Sequence, residues 1–346
     1  MSNRVCLVLP DDDRRQQLWH AKSEKLASDL GIECFLTAQG NKVPVGDWPR
    51  LLEDVDAVIT SWGAPRFTED LLPSNDRLKV IAHAAGSVEP IVSPAIFERG
   101  IKLLSCNRYM ADSVAEYALM MTMVGLRRLT DNAQFGSAVK QFKTFTGGRI
   151  KGLDQATVGI WGFGDVAKHL IRKLKALGTE TIIVHNDYLS PQVAVELGVE
   201  KVGFDEMFQR SDVVHLCESL REDTVEKVRA PQLAAMQDNA VIINSGRARL
   251  VHEADLLAEL KKGRIIGIFD VHFTEPLPED SAFRKLDNVV ITPHFAGSSG
   301  RGRYTSIMLT EVHQILNGQT SEYEISAQRA GTMTSNKLVS KVKESK

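Results

Sequence analysis

The chain has 346 residues, more than one hydrophobic core usually serves, so two domains are expected. Its composition, 43% hydrophobic and 25% charged, excludes a disordered, fibrous or disulfide-stabilised class of protein. Because 42 basic and 44 acidic residues leave a formal charge of -2, no overall positive field predicts binding to nucleic acid or to an anionic membrane.

The four cysteines are widely spaced: Cys6, Cys34, Cys106 and Cys217. They form no Cys-x-x-Cys pair and no cluster with histidine at zinc spacing, so reduced thiols in a cytoplasmic protein without a metal site are expected. The apolar run from Val5 to Leu9 is too short for a signal peptide, and no run reaches the roughly 18 apolar residues of a membrane span.

Short apolar runs alternate with amphipathic segments in the N-terminal part of the chain. The runs are RVCLVLP, IECFLTA, DAVITSW, LKVIAHA and IKLLSC. Continuous apolar runs of this length are typical of strands covered on both faces, and the segment from Arg14 to Leu30, closed by Gly31, predicts a helix. Strands and helices in alternation predict a doubly wound parallel sheet.

A second alternation follows a long predicted helix that runs from Ala111 to about Val139. Its predicted strands are ATVGIWG, TIIVHN, VVHLC, AVIINSG, IIGIFDV and NVVITPH. Six strands of this kind fit a dinucleotide-binding domain. A further helix is predicted near residues 300–316, and the tail from Ala327 has few large apolar residues and is expected to be disordered.

A glycine-rich turn joins the first strand of the second alternation to a helix. The pattern Gly-x-Gly-x-x-Ala covers Gly162, Gly164 and Ala167. The first glycine allows the tight turn, the second lets the backbone approach a pyrophosphate, and the alanine allows close packing of helix on strand. Amide groups at the helix start then face the anion, so the turn predicts a nucleotide site.

The next strand is expected to end in a carboxylate that binds the adenosine ribose. The sequence there offers two neighbouring side chains, Asn186 and Asp187. If Asp187 faces the ribose, NAD is preferred; if Asn186 does, no carboxylate repels a 2′-phosphate and NADP is possible. A simple turn at Asn-Asp is a third interpretation.

Several motifs between Ala240 and Gly297 resemble the D-isomer-specific 2-hydroxyacid dehydrogenase family, which includes D-lactate, glycerate, hydroxypyruvate and phosphoglycerate dehydrogenases. They are Asn244-Ser245-Gly246-Arg247, ADLLAELKKG, GIFDV, Glu275-Pro276 and Thr292-Pro293-His294-Phe295-Ala296-Gly297. Weaker resemblance extends through DSVAEYALMM and the first α/β unit, so it covers nearly all of the chain except the tail.

The resemblance implies an NAD(P)-dependent oxidoreductase that acts on small 2-hydroxy or 2-keto acids. Arg247 would bind the substrate carboxylate, because a planar guanidinium offers two parallel donors. His294 would exchange a proton with the substrate oxygen, because imidazole titrates near neutral pH. Glu275 would orient and stabilise that imidazole. Arg249, His252 and His272 match no catalytic position of the family and are interpreted as structural or solvated.

The same resemblance implies a Rossmann NAD(P)-binding domain at residues 109–297 and a discontinuous, flavodoxin-like substrate domain at residues 1–108 and 298–326, with a disordered tail at 327–346. It also implies a homodimer, with residues 111–151 as a possible interface. The implied cofactor contacts are Gly162, Phe163, Gly164, Asp165, Val166, Asn186, Asp187, Cys217, Thr224, Ser245, Gly246, Arg247, Asp270, His294 and Gly297, with NAD favoured over NADP.

The implied substrate loop of the first unit contains Ala85, Gly86 and Ser87, whose amides follow a strand. Trp62 and His83 end neighbouring strands, where they either line the substrate pocket or belong to the core.

The sequence departs from the family pattern at four places, one of them the replacement of the usual acidic residue near His252. Ala248 replaces the glycine that usually follows the arginine, Cys217-Glu218-Ser219 replaces the usual His-x-Pro, and Ser87-Val88-Glu89-Pro90 lacks the usual Asp. These departures weaken assignment to any particular member of the family.

Two rival functions follow from related families. A formate dehydrogenase shares the fold, but that family has Gln at the position of Glu275, which counts against it. A nucleotide-sensing corepressor resembles the family and keeps its catalytic residues, but it would bind NADH without turnover of a 2-keto acid.

Overall fold

The computed structural model describes residues 2–129, 150–334 and 338–339. The chain divides into unit 1, Met1–Met110 with Ser298–Asn336, and unit 2, Ala111–Gly297 with Lys337–Lys346. The boundaries expected from the sequence follow residues 108, 297 and 326, whereas those observed follow Met110, Gly297 and Asn336.

Unit 1 is built on a five-stranded sheet in which every paired strand is parallel. Its strands are β1 (Asn3–Val8), β2 (Ile32–Leu36), β3 (Ala57–Thr60), β4 (Val80–His83) and β5 (Lys102–Ser105). The order β2-β1-β3-β4-β5 is the flavodoxin-like order. The five predicted strands and this fold class are confirmed.

The sheet of unit 1 is covered on both faces. Val58 and Ile81 belong to one apolar cluster, whereas their chain neighbours Ile59 and Ala82 belong to another. Successive side chains of a strand point to opposite faces, so both faces are buried, and the strands read as continuous apolar runs for that reason.

Unit 2 is built on a seven-stranded parallel sheet. Its strands are β6 (Thr157–Trp161), β7 (Thr181–His185), β8 (Glu200–Lys201), β9 (Val213–Leu216), β10 (Val241–Asn244), β11 (Ile266–Phe269) and β12 (Val289–Ile291). The order β12-β11-β10-β9-β6-β7-β8 runs in opposite directions on the two sides of the β6–β9 pair. This is the Rossmann arrangement, in which ligands bind at the carboxyl ends of the strands near that pair. The two-residue strand β8 is not among the six predicted strands.

The helices of the described chain are α1 (Arg14–Leu18), α2 (Ala21–Asp29), α3 (Trp48–Leu52), α4 (Pro94–Glu98), α5 (Asn107–Leu126), α6 (Asp165–Ala176), α7 (Pro191–Glu196), α8 (Phe204–Arg210), α9 (Ala230–Ala235), α10 (Glu253–Leu260), α11 (Tyr304–Leu316) and α12 (Ala327–Gly331). Among the described residues, no helix is both long enough and apolar enough to cross a membrane.

Two predicted helices differ from the observed ones. The single helix expected at residues 14–30 is divided into α1 and α2, because His20 adopts an extended backbone and its Nε2 donates to the carbonyl of Gly302 at 2.9 Å. The long helix expected from Ala111 to about Val139 is observed as α5; residues 130–149, and with them most of the proposed interface, lie outside the described residues.

The tail expected to be disordered contains ordered structure. The hydroxyl of Ser326 accepts from the amide of Arg329 at 3.2 Å and caps α12, and Ala330 is buried in an apolar cluster of unit 1. Leu338 packs on a cluster of unit 2, and its carbonyl accepts from Arg249 at 2.6 Å. The prediction was wrong there because low average hydrophobicity does not reveal single anchored side chains. Residues 335–337 and 340–346 lie outside the described residues.

Two buried histidines should make the free energy of unfolding depend on pH. Burial lowers the pKa of His83 to about 4 and that of His215 to about 3, from 6.5. Since the unfolded chain binds protons in this range and the folded chain does not, the free energy of unfolding should fall as the pH drops below about 6.5. Each histidine contributes up to about 1.4 kcal/mol per pH unit, measurable by urea unfolding between about pH 7 and pH 5. A His83→Gln, His215→Gln double variant should show a flatter dependence, and an unchanged slope would contradict the assignment.

Candidate active site

The glycine turn between β6 and α6 is shaped for a close backbone approach. Gly162 has a φ of +107°, and a Cβ at this position would lie 2.7 Å from the backbone carbonyl of Cys217. A Cβ on Gly164 would meet no heavy atom within 4 Å, and Gly164 is exposed at the N-cap of α6. Ala167 is buried under the helix. The first glycine is therefore required by the fold, whereas the second leaves open space where an anion would meet the helix start.

The neighbours of these glycines lie around the same turn. Phe163 is half-buried, with the Lys168 ammonium 5.2 Å from its ring centroid. Asp165 and Val166 are half-buried in the first turn of α6. These residues fit the first turn of a nucleotide-binding helix, where the helix dipole favours negative charge.

The end of β7 distinguishes the two candidates for the ribose position. Asn186 is buried, with its Oδ1 accepting from the amide of Tyr188 at 2.9 Å and its Nδ2 donating to Glu218 Oε2 at 3.2 Å. Asp187 is exposed. The side chain turned inward is thus an amide, and the carboxylate beside it comes from the loop after β9.

The loop after β9 contains two further candidates, Cys217 and Thr224. The thiol of Cys217 is protonated at neutral pH, because burial raises its pKa to about 12. The hydroxyl of Thr224 donates to the carbonyl of Ser219 at 2.7 Å and accepts from the amide of Arg221 at 2.8 Å. The Thr224 side chain therefore closes its own loop.

His294 and Glu275 form a hydrogen-bonded pair at the carboxyl ends of β12 and β11. His294 Nδ1 lies 2.8 Å from Glu275 Oε2, and the other carboxylate oxygen accepts from the amide of His272 at 3.0 Å. Burial alone would raise the pKa of Glu275, but the hydrogen bonds from His294 and His272 outweigh it and hold that pKa below its usual value. The imidazole Nε2 has no hydrogen-bond partner among the described residues and can bind a ligand.

Arg247 follows the adjacent strand, β10. The side chain of Asn244 shapes the loop by accepting from the amide of Gly246 at 3.1 Å and donating to the carbonyl of Arg247 at 2.9 Å. A Cβ on Gly246 would lie 2.8 Å from the carbonyl oxygen of Leu216, so glycine is needed there. Ser245, directly after the strand, is half-buried.

Arg247 is half-buried, and no carboxylate among the described residues forms an ion pair with its guanidinium. It donates to the carbonyl of Gly246 at 2.6 Å, and burial lowers its pKa while the nearby charge of Glu275 opposes that effect. A partly desolvated cation without an ion pair is unfavourable unless an anion binds it. The position therefore suits an anionic ligand.

A buried carboxylate positions the loop that contains His294. Asp270 is fully buried and accepts from the Thr292 hydroxyl at 2.7 Å and from the amides of Phe295 and Ala296 at 3.0 and 2.9 Å. These contacts hold His294 in a left-handed conformation with a φ of +54°. Gly297, the last residue of this part of unit 2, follows directly. Asp270, expected as a cofactor contact, uses its described hydrogen bonds to support the loop.

Two supporting residues of the site, Tyr117 and His272, were not identified from the sequence. Tyr117 of α5 lies 2.8 Å from the Thr292 hydroxyl and packs its ring edge-on against Phe295 at 5.7 Å. His272 Nε2 donates to the carbonyl of Thr292 at 2.8 Å, so it connects the loops of Glu275 and His294. Thr292 belongs to the recognised Thr-Pro-His motif; Tyr117 and His272 have no comparable local signal.

The candidate substrate residues belong to unit 1. Ser105 Oγ donates to the carbonyls of Ala85 and Gly86 at 3.2 and 2.5 Å, and Ser87 Oγ accepts from the amide of Glu89 at 3.3 Å. The amides of residues 85–87 have no acceptor in the part of the chain that the structure describes. The loop therefore offers free donors to an anion.

Trp62 and His83 differ in accessibility. Trp62 is half-buried, with the guanidinium of Arg301 5.3 Å from its ring centroid. His83 is 4% exposed and lies 3.0 Å from the Thr60 hydroxyl. Its lowered pKa keeps it neutral, so it is a core residue rather than a cation for substrate.

No group of three or more His, Cys, Asp and Glu side chains is arranged to hold a metal ion in the described ranges 2–129, 150–334 and 338–339. The candidate site therefore consists of the glycine turn with its neighbours, and of the Arg247, Glu275 and His294 side chains.

Comparisons with known proteins agree with this architecture. The family model of the D-isomer specific 2-hydroxyacid dehydrogenase NAD binding domain matches residues 117–296. A hydroxypyruvate reductase of Thermotoga maritima is 31% identical over 270 residues, which are 76% of this chain and 85% of that protein. A D-3-phosphoglycerate dehydrogenase of Methanocaldococcus jannaschii is 29% identical over 276 residues, 78% of this chain but 52% of that protein. The chain thus spans about half the length of the latter relative.

Solved structures share the fold. A phosphoglycerate oxidoreductase from Rhizobium etli superposes with a TM-score of 0.76 at 20% identity, covering 95% of this chain and 99% of that one. An NAD-complexed D-isomer specific 2-hydroxyacid dehydrogenase from Lactobacillus delbrueckii ssp. bulgaricus superposes with a TM-score of 0.74 at 20% identity, covering 93% and 100%. From the family model and the sequence relatives, the chain belongs to the D-isomer-specific 2-hydroxyacid dehydrogenase family.

Proposed function

We propose that this protein interconverts a small 2-hydroxy acid and its 2-keto acid, with NAD rather than NADP as its preferred cofactor. One observation carries the proposal. An imidazole hydrogen-bonded to a carboxylate at 2.8 Å and a guanidinium without an ion pair among the described residues follow three adjacent strands at one edge of the sheet of unit 2. Together they provide an acid/base and an anion receptor.

Arg247 binds the carboxylate of the substrate in this proposal. Its guanidinium can donate two parallel hydrogen bonds, and the substrate carboxylate supplies the direct ion pair that no described residue provides. Within unit 1, the free amides of residues 85–87 follow β4 and can donate hydrogen bonds to an anion.

His294 exchanges a proton with the oxygen on C2. Because Nδ1 is bonded to Glu275, Nε2 gives its proton to the keto oxygen during reduction and takes the hydroxyl proton during oxidation. Glu275 keeps the ring oriented and stabilises the imidazolium. Asp270, Thr292 and Tyr117 hold the loop in place.

The residues of unit 2 also fit a bound nicotinamide dinucleotide. The open space at Gly164 and the N-terminus of α6 suit its pyrophosphate, and the remaining implied contacts follow strands at the same edge of the sheet. When bound, the cofactor gives a hydride to C2 or accepts one from it.

The proposed protein is a homodimer in the cytoplasm. On α5, Met120 and Met123 are 44% and 39% exposed, and two exposed apolar side chains one turn apart suit the subunit interface of a homodimer. The four cysteines are free, which fits the reducing cytoplasm.

Removal of the imidazole should abolish catalysis without removing the cofactor. His294→Asn should lower kcat by about 10²- to 10⁴-fold, because the proton transfer loses its donor, while NADH affinity stays within about threefold. Glu275→Gln should lower kcat as well and alter its pH profile. The measurement is NADH consumption with glyoxylate, hydroxypyruvate or its phosphate ester.

A matched control is His252→Asn, which removes another histidine–carboxylate pair, His252 with Asp255 at 3.1 Å. It should leave kcat close to the parental value. Parental rates in His294→Asn would contradict the assigned role. NADH binding without turnover of any 2-keto acid would instead favour a nucleotide sensor.

Replacement of Arg247 by alanine should impair binding of the substrate. Arg247→Ala should raise KM for the keto acid by at least about 100-fold, because it loses charge-assisted hydrogen bonds to the carboxylate. Arg247→Lys keeps the charge but not the two-pronged geometry, so it should recover only part of the loss. Steady-state kinetics at saturating NADH measure both variants, and an unchanged KM in Arg247→Ala would refute the role.

The two glycines of the turn should respond differently to alanine. Gly162→Ala should destabilise the protein by about 1–3 kcal/mol, because the Cβ meets the Cys217 carbonyl at a positive φ. Gly164→Ala has open space and should keep the parental melting temperature while NADH affinity falls at least about tenfold. Thermal melting and NADH fluorescence measure the two effects. Parental NADH affinity in Gly164→Ala would place the cofactor elsewhere.

A further inference from the structure

The position at which Rossmann-type domains offer a carboxylate to the adenosine ribose contains an amide in this protein. Asn186 follows β7 directly, and both ends of its side chain are engaged, Oδ1 by the amide of Tyr188 and Nδ2 by Glu218. Asp187, the next residue, is exposed. Neither residue therefore presents an inward carboxylate from this strand.

A carboxylate nevertheless reaches this position from the other side of β6. In the sheet, β6 lies between β7 and β9, so Asn186 and Glu218 approach each other across the strand that leads into the glycine turn. The backbone amide of Glu218 lies 2.8 Å from where a Cβ of Gly162 would be. Glu218 is thus packed directly against the turn.

The carboxylate of Glu218 is held in place by three groups. Oε1 accepts from the amide of Ser219 at 2.9 Å and from Arg221 at 2.8 Å, and Oε2 accepts from Asn186 at 3.2 Å. Its side chain is only 10% exposed. Two donors engage Oε1, whereas Oε2 has one, so Oε2 keeps a lone pair for a further donor.

We propose that Glu218 is the specificity-determining residue that selects NAD over NADP. It replaces the carboxylate missing from the end of β7. Oε2 accepts a hydrogen bond from a ribose hydroxyl, and the same charge repels a 2′-phosphate. This inference rests on the proposed function only in that a nicotinamide dinucleotide is bound.

The nearby guanidinium of Arg221 does not reverse the preference for NAD over NADP. Arg221 donates through Nε and Nη2 to Asp223 at 3.1 and 3.0 Å and through Nη1 to Glu218. One guanidinium is therefore shared between two carboxylates, and the local charge stays negative. A 2′-phosphate would have to displace at least one of these bonds.

Direct binding tests this assignment without any substrate. NADH and NADPH are titrated into the full-length protein and followed by nicotinamide fluorescence, with AMP and 2′,5′-ADP as competing probes that lack the nicotinamide. The parental protein is expected to prefer NADH by at least about 100-fold, a typical consequence of a like-charge contact. NADPH affinity within about threefold of NADH in the parental protein would overturn the proposal.

Three variants distinguish the effect of the charge of Glu218 from the effect of its shape. Glu218→Gln should lose at least about tenfold of the preference, chiefly through tighter NADPH binding, whereas Glu218→Asp keeps the charge and should retain most of it. The control Glu222→Gln removes an exposed carboxylate of the same loop and should change the ratio less than about twofold.

Equal losses in Glu218→Gln and Glu218→Asp, or an unchanged ratio with a lowered melting temperature, would show that Glu218 only braces the loop and would overturn the proposal. The experiment measures cofactor binding and not turnover. An absence of 2-keto acid turnover would therefore refute the proposed function, but the NADH and NADPH affinities could still be interpreted.

Discussion

The hydrogen bond between His294 and Glu275 is the interaction on which the proposed chemistry depends. The two residues are 19 apart in the chain and meet because β11 and β12 are adjacent parallel strands whose carboxyl ends share one edge. Their side chains are 47% and 39% exposed, so the pair contributes little to stability, about 0–1 kcal/mol. Its value is orientation, since it fixes which imidazole nitrogen faces a ligand.

That orientation is maintained by the buried carboxylate of Asp270 and by the side chain of His272. Asp270 binds two backbone amides of the histidine loop and the Thr292 hydroxyl, and His272 ties the same loop to that of Glu275. The left-handed backbone conformation of His294 is strained, and these contacts stabilise it. Likewise, the order of the strands separates the glycine turn at β6 from the acid/base pair at β11 and β12, as a long dinucleotide requires.

Much of the fold is predictable from the sequence because its signals are local. Strands buried on both faces appear as apolar runs, such as AVIINSG for β10, and the turn after β6 shows its glycine spacing. The division of residues 14–30 at His20 depends on a carbonyl far away in the chain, and the ordered tail depends on a few anchored side chains. Neither leaves a periodic pattern.

The candidate site was predictable to a similar degree. Arg247, Glu275 and His294 follow from motifs that resemble a family, whereas Tyr117, His272 and Glu218 act through side-chain hydrogen bonds between distant residues. The choice between Asn186 and Asp187 needed coordinates, because only the direction of the side chains distinguishes them.

The central claim is that His294 and Glu275 act as one device, and a double-mutant cycle on kcat for 2-keto acid reduction tests it most directly. If the pair acts as a unit, adding Glu275→Gln to His294→Asn should change the residual rate less than about twofold, although Glu275→Gln alone lowers it far more. Effects that multiply in the double variant would contradict the claim.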